Sequence, residues 1–190
     1  MELSPKIYSW LIRPKFAIKK YIQKPITDLA NLTGKDVLDF GCGTGSNAFI
    51  FNKGNYTGVD VDKNRITLAK NNFPQLSFYH FDGKLPFKDN SFDYIFVIAT
   101  IHHIKDIDFK KILLELNRIL RHGGSFMVLD PVLMPRDHLR NWFMNFFDAG
   151  KYIRSQENYL YFFRDFETRI IKTFTKFALY NEILFTARKT

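Results

Sequence analysis

Residues 36–47, which read DVLDFGCGTGSN, constrain the fold of this chain more than any other segment. An apolar run with strand character contains Asp39 and leads into Gly41, Gly43 and Gly45. In a doubly wound sheet, the loop after the first strand passes close to whatever binds beyond the carboxyl ends of the strands, and glycines permit that approach. The segment therefore predicts a ligand-binding loop that follows a buried strand.

The spacing of the glycines separates this loop from the dinucleotide-binding fingerprint. That fingerprint is G-x-G-x-x-G and places a pyrophosphate at a helix N-terminus, whereas this loop has G-x-G-x-G. The carboxylate of Asp39 would repel a pyrophosphate but could pair with an ammonium group. We therefore expect a nucleoside ligand with a cationic tail rather than a phosphorylated one.

Two further acids follow the next two predicted strands. Asp60, in TGVDVDKN, stands where an acid accepts hydrogen bonds from both ribose hydroxyls. Asp82, in YHFDGKLPF, could accept from an adenine amino group, with Val61 against the ring. A single acid at a strand end is more often a turn or helix cap. Three acids in order on successive strands indicate a nucleoside site.

Strand-like and helix-like runs alternate through the middle of the chain. The predicted strands are 36–40, 56–61, 76–81, 92–99 and 124–130, and the predicted helices are 46–53, 63–72 and 107–121. Five strands separated mostly by helices imply a parallel sheet that is covered on both faces.

The two ends of the chain have different patterns. The first thirty residues fit two helices broken near Pro14 or Pro25. Residues 137–166 are rich in aromatics and have helical character, and two alternating runs around Tyr180-Asn181 predict an antiparallel hairpin at a sheet edge. We expect one domain over residues 1–190, with an N-terminal helical segment (1–33), a cofactor-binding core (34–131) and substrate-side helices with the terminal hairpin (132–190).

The motifs resemble those of the class I S-adenosylmethionine-dependent methyltransferases, in a small bacterial form like methyltransferase domain 11. VLDFGCGTG is similar to their first motif, GVDVD to their ribose acid, and FDGKLPFKDNSFDYI to their adenine acid and fourth strand. LLELNRILRHGGSFMVLDP resembles their next helix and fifth strand, with HGG in place of the commoner Pro-Gly-Gly. The resemblance covers residues 34–131. It implies an α/β, Rossmann-like doubly wound sheet of seven mostly parallel strands with an antiparallel last strand, and S-adenosyl-L-methionine as cofactor.

The resemblance also assigns the cofactor-binding residues by position. Asp39 and the loop backbone would hold the methionine end, Asp60 the ribose, and Asp82 with Val61 the adenine. Cys42 lies between two glycines facing the cofactor, without the activating base or cation that a nucleophilic thiol requires. We predict no metal site. The full predicted set is Asp39, Gly41, Cys42, Gly43, Gly45, Asp60, Val61, Asp82, Gly83 and Ala99.

Candidate catalytic residues follow the fourth predicted strand. Methyl transfer depends on alignment of the nucleophile and the methyl group, and an oxygen or nitrogen nucleophile can also need a base. His102, in IATIHHIKDI, is either such a base or a surface residue, and His103 is either a second candidate or a residue that caps or packs the following helix. Asp130, Arg136 and His138 are candidates for contacting the acceptor.

Charge and composition narrow the function classes. The formal net charge of +9 comes from the two ends of the chain, because residues 25–150 carry fourteen Lys and Arg and fourteen acids. The basic ends are either a solvated surface or the frame of a site for an anionic acceptor. The chain contains one cysteine, and we find no signal peptide or apolar run long enough to span a bilayer, so we expect a cytoplasmic protein.

Three functions remain open at this point. The first is methylation of a small-molecule or lipid-like acceptor. The second is an RNA-directed methyltransferase; base methylation is disfavoured, since IATIHH lacks the Asn/Asp-Pro-Pro-Tyr/Phe element that holds a flipped base. The third is a non-catalytic S-adenosylmethionine-binding partner protein. The sequence does not define the oligomeric state.

Overall fold

The computed structural model describes residues 19–51, 55–148 and 150–190. These residues fall into two compact units, 19–32 and 33–190. The first unit contains a π-helical turn at Lys19–Gln23 and helix α1 at Lys24–Leu29, with Pro25 in its first turn. The expected helix around Pro14 lies outside the described residues, and the expectation of a single domain stays a prediction.

The second unit is built around one sheet. Its strands are β1 (Asp36–Phe40), β2 (Asn55–Asp60), β3 (Ser77–His80), β4 (Phe92–Ile98), β5 (Leu120–Leu133), β6 (Arg154–Ser155), β7 (Glu167–Lys176) and β8 (Tyr180–Arg188). Seven strands follow the order β3-β2-β1-β4-β5-β8-β7, and the two-residue β6 pairs with the end of β5. Strands β1 to β5 are mutually parallel, whereas β8 is antiparallel to both β5 and β7. The predicted doubly wound sheet with a reversed last strand is confirmed.

Four helices accompany the sheet. They are α2 (Lys63–Asn72), α3 (Asp106–Ile119), α4 (His138–Phe147) and α5 (Gln156–Phe162). Helix α2 begins where the Asp62 side chain accepts from the backbone N–H groups of Asn64 and Arg65, which satisfies two otherwise unpaired donors. Helix α3 buries one apolar stripe, as its periodicity predicts. No helix within the described residues combines the length and apolarity that a membrane span requires.

The core of this unit is aromatic on the side of the sheet that α3 and α5 cover. Phe163 packs against Phe126 and Phe185, with ring centroids 5.4 and 5.3 Å apart, and Phe109 of α3 lies 5.1 Å from Phe162. All of these side chains are buried. The aromatic residues Phe162 and Phe163, near the end of the aromatic segment after β5, are therefore ordinary core.

Two local predictions are wrong. The expected helix over 46–53 is a single 3₁₀ turn, Ala48–Phe51, among the described residues. The hairpin turn lies at Phe177 and Ala178, whose φ angles are 51° and 58°, rather than at Tyr180-Asn181. Asn181 belongs to β8 because tertiary hydrogen bonds hold its amide: Nδ2 donates to Asp137 and Oδ1 accepts from Thr175.

Candidate active site

The glycine loop has one open position. Gly41, Gly43 and Gly45 all have positive φ angles, of 81°, 56° and 79°. A Cβ on Gly41 would overlap the Thr100 side chain, and one on Gly45 would lie 3.0 Å from the Phe73 ring, but one on Gly43 would meet nothing within 4 Å. Only Gly43 therefore leaves room for a ligand, whereas the other two glycines allow the loop to pack against its own protein.

Asp60 ties this loop to the end of β2. Its Oδ2 accepts a hydrogen bond from the Gly43 backbone N–H at 2.8 Å, and its Oδ1 accepts from the Asp62 N–H at 2.9 Å. Each oxygen of an ionised carboxylate can accept a second hydrogen bond. Asp60 therefore fixes the shape of the loop and retains the capacity to accept from a ligand hydroxyl.

Asp39 lies beneath the loop in a buried polar cluster. The Tyr56 hydroxyl donates to its Oδ2 at 3.0 Å. Burial, and then the charge of Asp39, raises the pKa of the Tyr56 hydroxyl, which keeps it a neutral donor. Burial also raises the pKa of the Cys42 thiol, with Asp39 and Asp60 adding to the effect. Cys42 is thus a buried, protonated thiol, the opposite of an activated nucleophile.

The remaining predicted cofactor residues line the same sheet edge. Val61 and Asp82 are exposed, and Asp82 lies two residues beyond the end of β3. Strand β2 is held to this region because the Phe81 N–H donates to the Asp60 carbonyl. A Cβ on Gly83 would enter open space. Ala99, with a φ of 50°, follows β4 and donates its N–H to the Leu129 carbonyl.

A second cluster is centred on Asp130, whose side chain is fully buried. Its Oδ1 accepts from the Thr100 N–H at 2.8 Å and lies 2.9 Å from Nδ1 of His102. Its Oδ2 accepts from the His102 N–H at 2.9 Å and from the Tyr159 hydroxyl at 2.7 Å. Three donors and the imidazole nitrogen thus surround both oxygens of this buried side chain. The structure places Asp130 behind His102, within protein, rather than at a surface that an acceptor would reach.

His102 is a buried ring between two carboxylates. Its Nδ1 faces Asp130, and its Nε2 lies 3.5 Å from Oδ1 of Asp148. A Cβ on Gly150 would overlap the His102 ring, so the chain approaches the imidazole at a position where only glycine fits. The Tyr152 N–H donates to the His102 carbonyl at 2.9 Å.

His103 does not have one of the roles considered for it, and its other roles stay predictions. It does not cap α3, whose N-cap is Lys105. The His103 ring is exposed and lies 4.0 Å from the His102 ring, centroid to centroid. The pKa of His103 is lowered, first by partial desolvation of its ring in this site and then by the neighbouring His102. Arg136 and His138 are exposed, and in the described part of the chain neither joins the hydrogen-bonded cluster.

Several residues of these clusters escaped the sequence interpretation. Tyr159 looks like one more aromatic in a helical run, and Asp148 and Gly150 look like a turn after α4. Arg154 is buried and binds the carbonyls of Ile101 and Ile104 on both sides of the histidines. The strand register does place Tyr56 near Asp39, since Tyr56 pairs with Val37, two positions before Asp39 on the same face of the sheet. Sequence periodicity gives no comparable indication for Tyr159, Asp148 or Arg154.

A cavity of about 650 Å³ lies at the opposite edge of the sheet. Its lining includes Asp36, Asn55, Ser77 and Phe92, which are the first residues of β1 to β4, together with Arg121. Ligands of doubly wound sheets bind beyond the carboxyl ends of the strands. This cavity is therefore not the candidate site.

Comparison with known proteins agrees with this geometry. Residues 38–128 match the family model described as a methyltransferase domain. This part of the chain matches the class I S-adenosylmethionine-dependent methyltransferases. The resemblance inferred from the motifs is thereby confirmed, and S-adenosylmethionine is the cofactor of this family.

The methyltransferase domain is similar in sequence to mycobacterial methyltransferases. It is 34% identical over 118 residues to a phthiotriol/phenolphthiotriol dimycocerosates methyltransferase of Mycobacterium ulcerans, covering 58% of this chain and 42% of that protein. It is 33% identical over 134 residues to a fatty-acid O-methyltransferase of Mycolicibacterium smegmatis, covering 67% and 47%. The chain therefore spans less than half the length of these curated relatives.

Solved structures share the fold. The PH0226 protein of Pyrococcus horikoshii superimposes with a TM-score of 0.74 at 16% identity, covering 96% of each chain. An S-adenosylmethionine-dependent methyltransferase of Aquifex aeolicus superimposes with a TM-score of 0.66 at 17% identity, covering 97% of this chain and 99% of that one.

The residues at the sheet edge fit S-adenosylmethionine. Gly43 leaves an open position where a side chain would otherwise stand, and the acids Asp60 and Asp82 flank the exposed apolar Val61. The buried Oδ1 of Asn47, in the same loop, has no hydrogen-bond partner within residues 19–51, 55–148 and 150–190. Such a group costs free energy unless a donor reaches it. A ligand with ribose hydroxyls, an adenine amino group and an ammonium group suits this set.

Proposed function

We propose that this protein methylates a hydroxyl group on an apolar, lipid-like acceptor, with S-adenosylmethionine as donor and His102 as general base. The observation that carries the proposal is the contact between the two clusters. Gly41 of the cofactor loop packs on Thr100, and the Thr100 N–H donates to Asp130, which holds His102. The predicted donor site and the buried histidine are thus joined through Thr100 and Asp130.

Asp130 orients the base. With Nδ1–H donated to Asp130, Nε2 carries the lone pair and can accept a proton. A hydroxyl that loses its proton to Nε2 becomes a stronger nucleophile, and Asp130 and Asp148 stabilise the imidazolium that results. Bound S-adenosylmethionine supplies an electrophilic methyl group on a sulfonium. The protein supplies alignment and a place for the proton.

The names of the relatives support an apolar acceptor. They include a fatty-acid O-methyltransferase and a demethylmenaquinone methyltransferase of Staphylococcus aureus, which is 30% identical over 121 residues. A carboxylate acceptor needs no base because it is already ionised at neutral pH. The buried His102–Asp130 pair therefore favours a hydroxyl, in an alcohol, a phenol or a quinol.

Two measurements test the proposal. Calorimetry should show binding of S-adenosylmethionine and of its demethylated product to the purified protein. Transfer of labelled methyl groups should then be screened on long-chain alcohols, phenols, quinols and fatty acids. We expect His102→Gln to keep cofactor affinity and to lose transfer to hydroxyls. Binding without transfer to any acceptor would favour a non-catalytic S-adenosylmethionine-binding protein, and transfer to fatty acids that survives His102→Gln would overturn the hydroxyl assignment.

A further inference from the structure

Helix α4 turns its apolar side to solvent. Its inward side carries the buried Met144 and the half-buried Phe143, which packs on Tyr180, together with the half-buried Arg140 and Asn141. Its outward side carries Leu139, Trp142, Phe146 and Phe147, with exposed fractions of 76%, 58%, 68% and 58%. Helices on the surface of globular proteins have the reverse arrangement, with the apolar stripe facing the core. Something other than core packing therefore accounts for this stripe.

The inward polar residues explain why the helix keeps this orientation. The Asn141 amide accepts from the Met134 N–H and donates to the Met134 carbonyl. Arg140 donates to Asp137 at 3.0 Å and to the Ala178 carbonyl at 2.9 Å. These bonds fasten the polar side of α4 to the end of β5 and to the hairpin turn, so rotation of the apolar stripe inward would break them.

The exposed rings form a continuous surface. Trp142 lies 5.6 Å from Phe146, and Phe146 lies 4.8 Å from Phe147, between ring centroids. The hairpin turn, which Arg140 holds beside the helix, carries the exposed Phe177 and Leu179 separately. We call Leu139, Trp142, Phe146 and Phe147 the aromatic face. Contiguous apolar patches of this kind mark interaction sites on soluble domains.

Positive charge accompanies the aromatic face. Arg136 and Lys151 are exposed on either side of α4 in the chain, whereas Lys176, over the Phe177 ring at 5.9 Å, is paired with Glu182 and adds no free charge. Residues 151–190 as a whole carry eight Lys and Arg against four acids. A surface that presents Trp, Phe and Leu beside Lys and Arg is complementary to the interface of a bilayer that contains anionic lipids.

We infer that the aromatic face docks on the surface of an anionic phospholipid bilayer, with α4 lying in the plane of the interface. The helix ends at Phe147, and the next residue, Asp148, lies 3.5 Å from Nε2 of His102. Docking through α4 therefore places the histidine site close to the bilayer. The inference concerns binding alone and does not rest on methyl transfer.

Tryptophan fluorescence tests the inference directly. The sequence contains two tryptophans, so in a Trp10→Phe variant all tryptophan emission comes from Trp142. The probe is a vesicle of phosphatidylcholine and phosphatidylglycerol, compared with phosphatidylcholine alone. We expect the emission to shift to the blue on the anionic vesicles and to be quenched by lipids brominated on their acyl chains. Added salt should weaken binding, since exposed charges are screened.

Matched variants separate docking from general loss of apolar surface. In the same background, the double variant Phe146→Asn, Phe147→Asn should bind anionic vesicles at least about tenfold more weakly, because each ring buries a large apolar area. Leu114→Asn, on α3 and 73% exposed, should bind like its parent. Circular dichroism of each variant checks that it folds, and binding is measured without any methyl acceptor.

Other occupants of the aromatic face give different results. If residues 1–18 cover it, Trp142 emission will already be blue-shifted without vesicles and will not respond to them. If a second copy of the chain covers it, the blue shift will depend on protein concentration in the absence of lipid. Either result, or equal vesicle binding by the double variant and its parent, overturns the inference.

Discussion

Nδ1 of His102 lies 2.9 Å from Oδ1 of Asp130, although the two residues are 28 positions apart, one after β4 and the other within β5. The same carboxylate also accepts from the Tyr159 hydroxyl and from two backbone N–H groups. A histidine held in this way has a fixed ring orientation and a defined tautomer, which are the conditions for a general base.

Asp130→Asn should lower kcat without a comparable loss of cofactor affinity. The amide cannot stabilise the imidazolium, and we expect kcat on a hydroxyl acceptor to fall by about 100-fold or more, the usual size of general-base catalysis. Stopped assays measure kcat, and calorimetry measures the affinity for the cofactor. Tyr159→Phe is the milder companion, since it removes one hydrogen bond and should cost about 1 kcal/mol in the free energy of unfolding. A wild-type kcat in Asp130→Asn would contradict the role of the pair.

Gly150→Ala should displace the His102 ring. The new Cβ would overlap the imidazole, so the ring must turn away from Asp130 or the segment after α4 must move. We expect kcat to fall even where the variant remains folded. Gly34→Ala is a suitable control, because Gly34 has a φ of 69° and no atom near its Cβ position. That control should lose about 1 kcal/mol of stability through backbone strain and keep its kcat.

Asp60→Asn should weaken S-adenosylmethionine binding and loosen the glycine loop. It replaces a charged acceptor for the Gly43 N–H, and hydrogen bonds to charged groups are worth about 1.5 to 3 kcal/mol, or about 10- to 100-fold in affinity. Calorimetry measures the affinity, and faster hydrogen exchange of the Gly43 amide would show that the glycine loop has loosened. In Asp62→Asn the residue still caps α2, so both quantities should stay near wild type. Unchanged affinity in Asp60→Asn would remove Asp60 from the cofactor site.

His103 should make stability depend on pH. Its pKa is lowered in the folded protein despite the opposing charges of Asp148 and Asp130. Between this lowered pKa and the ordinary value of about 6.5, the unfolded chain binds more protons, so the free energy of unfolding rises with pH through this window. Denaturant titrations from pH 5 to about pH 8 measure this slope. His103→Gln should flatten it, and an unchanged slope would assign the effect to another group.

The order of strands and helices in the core follows from local pattern. The segments of β1 and β4 contain apolar runs of strand length, and α3 repeats apolar residues at helical spacing, so the type of each element can be predicted from its own residues. The Asp39-to-Gly45 loop and Asp60 are recognisable for the same reason. Positive φ and close packing demand glycine at fixed positions after a strand, and the sheet then brings Asp60 to that loop.

Predictions from the sequence are wrong or incomplete where a long-range contact overrides the local preference of a residue. Asn181 favours a turn by type but belongs to β8 because Asp137 and Thr175 bind its amide. Tyr159 and Asp148 have no local pattern that assigns them to His102. Helix α4 has helical periodicity, but nothing within it shows which side faces outward.

The sequence by itself determined the parallel sheet, the terminal antiparallel hairpin and the glycine loop, because these depend on residue type and spacing within short segments, and the family resemblance added that the last strand is reversed. The tertiary structure decided that Asp130 lies behind His102, that Tyr159, Asp148 and Gly150 complete that site, and that the aromatic side of α4 faces solvent. Such relationships depend on how separate segments pack, and side-chain period alone carries no information about the partner that a given face will meet.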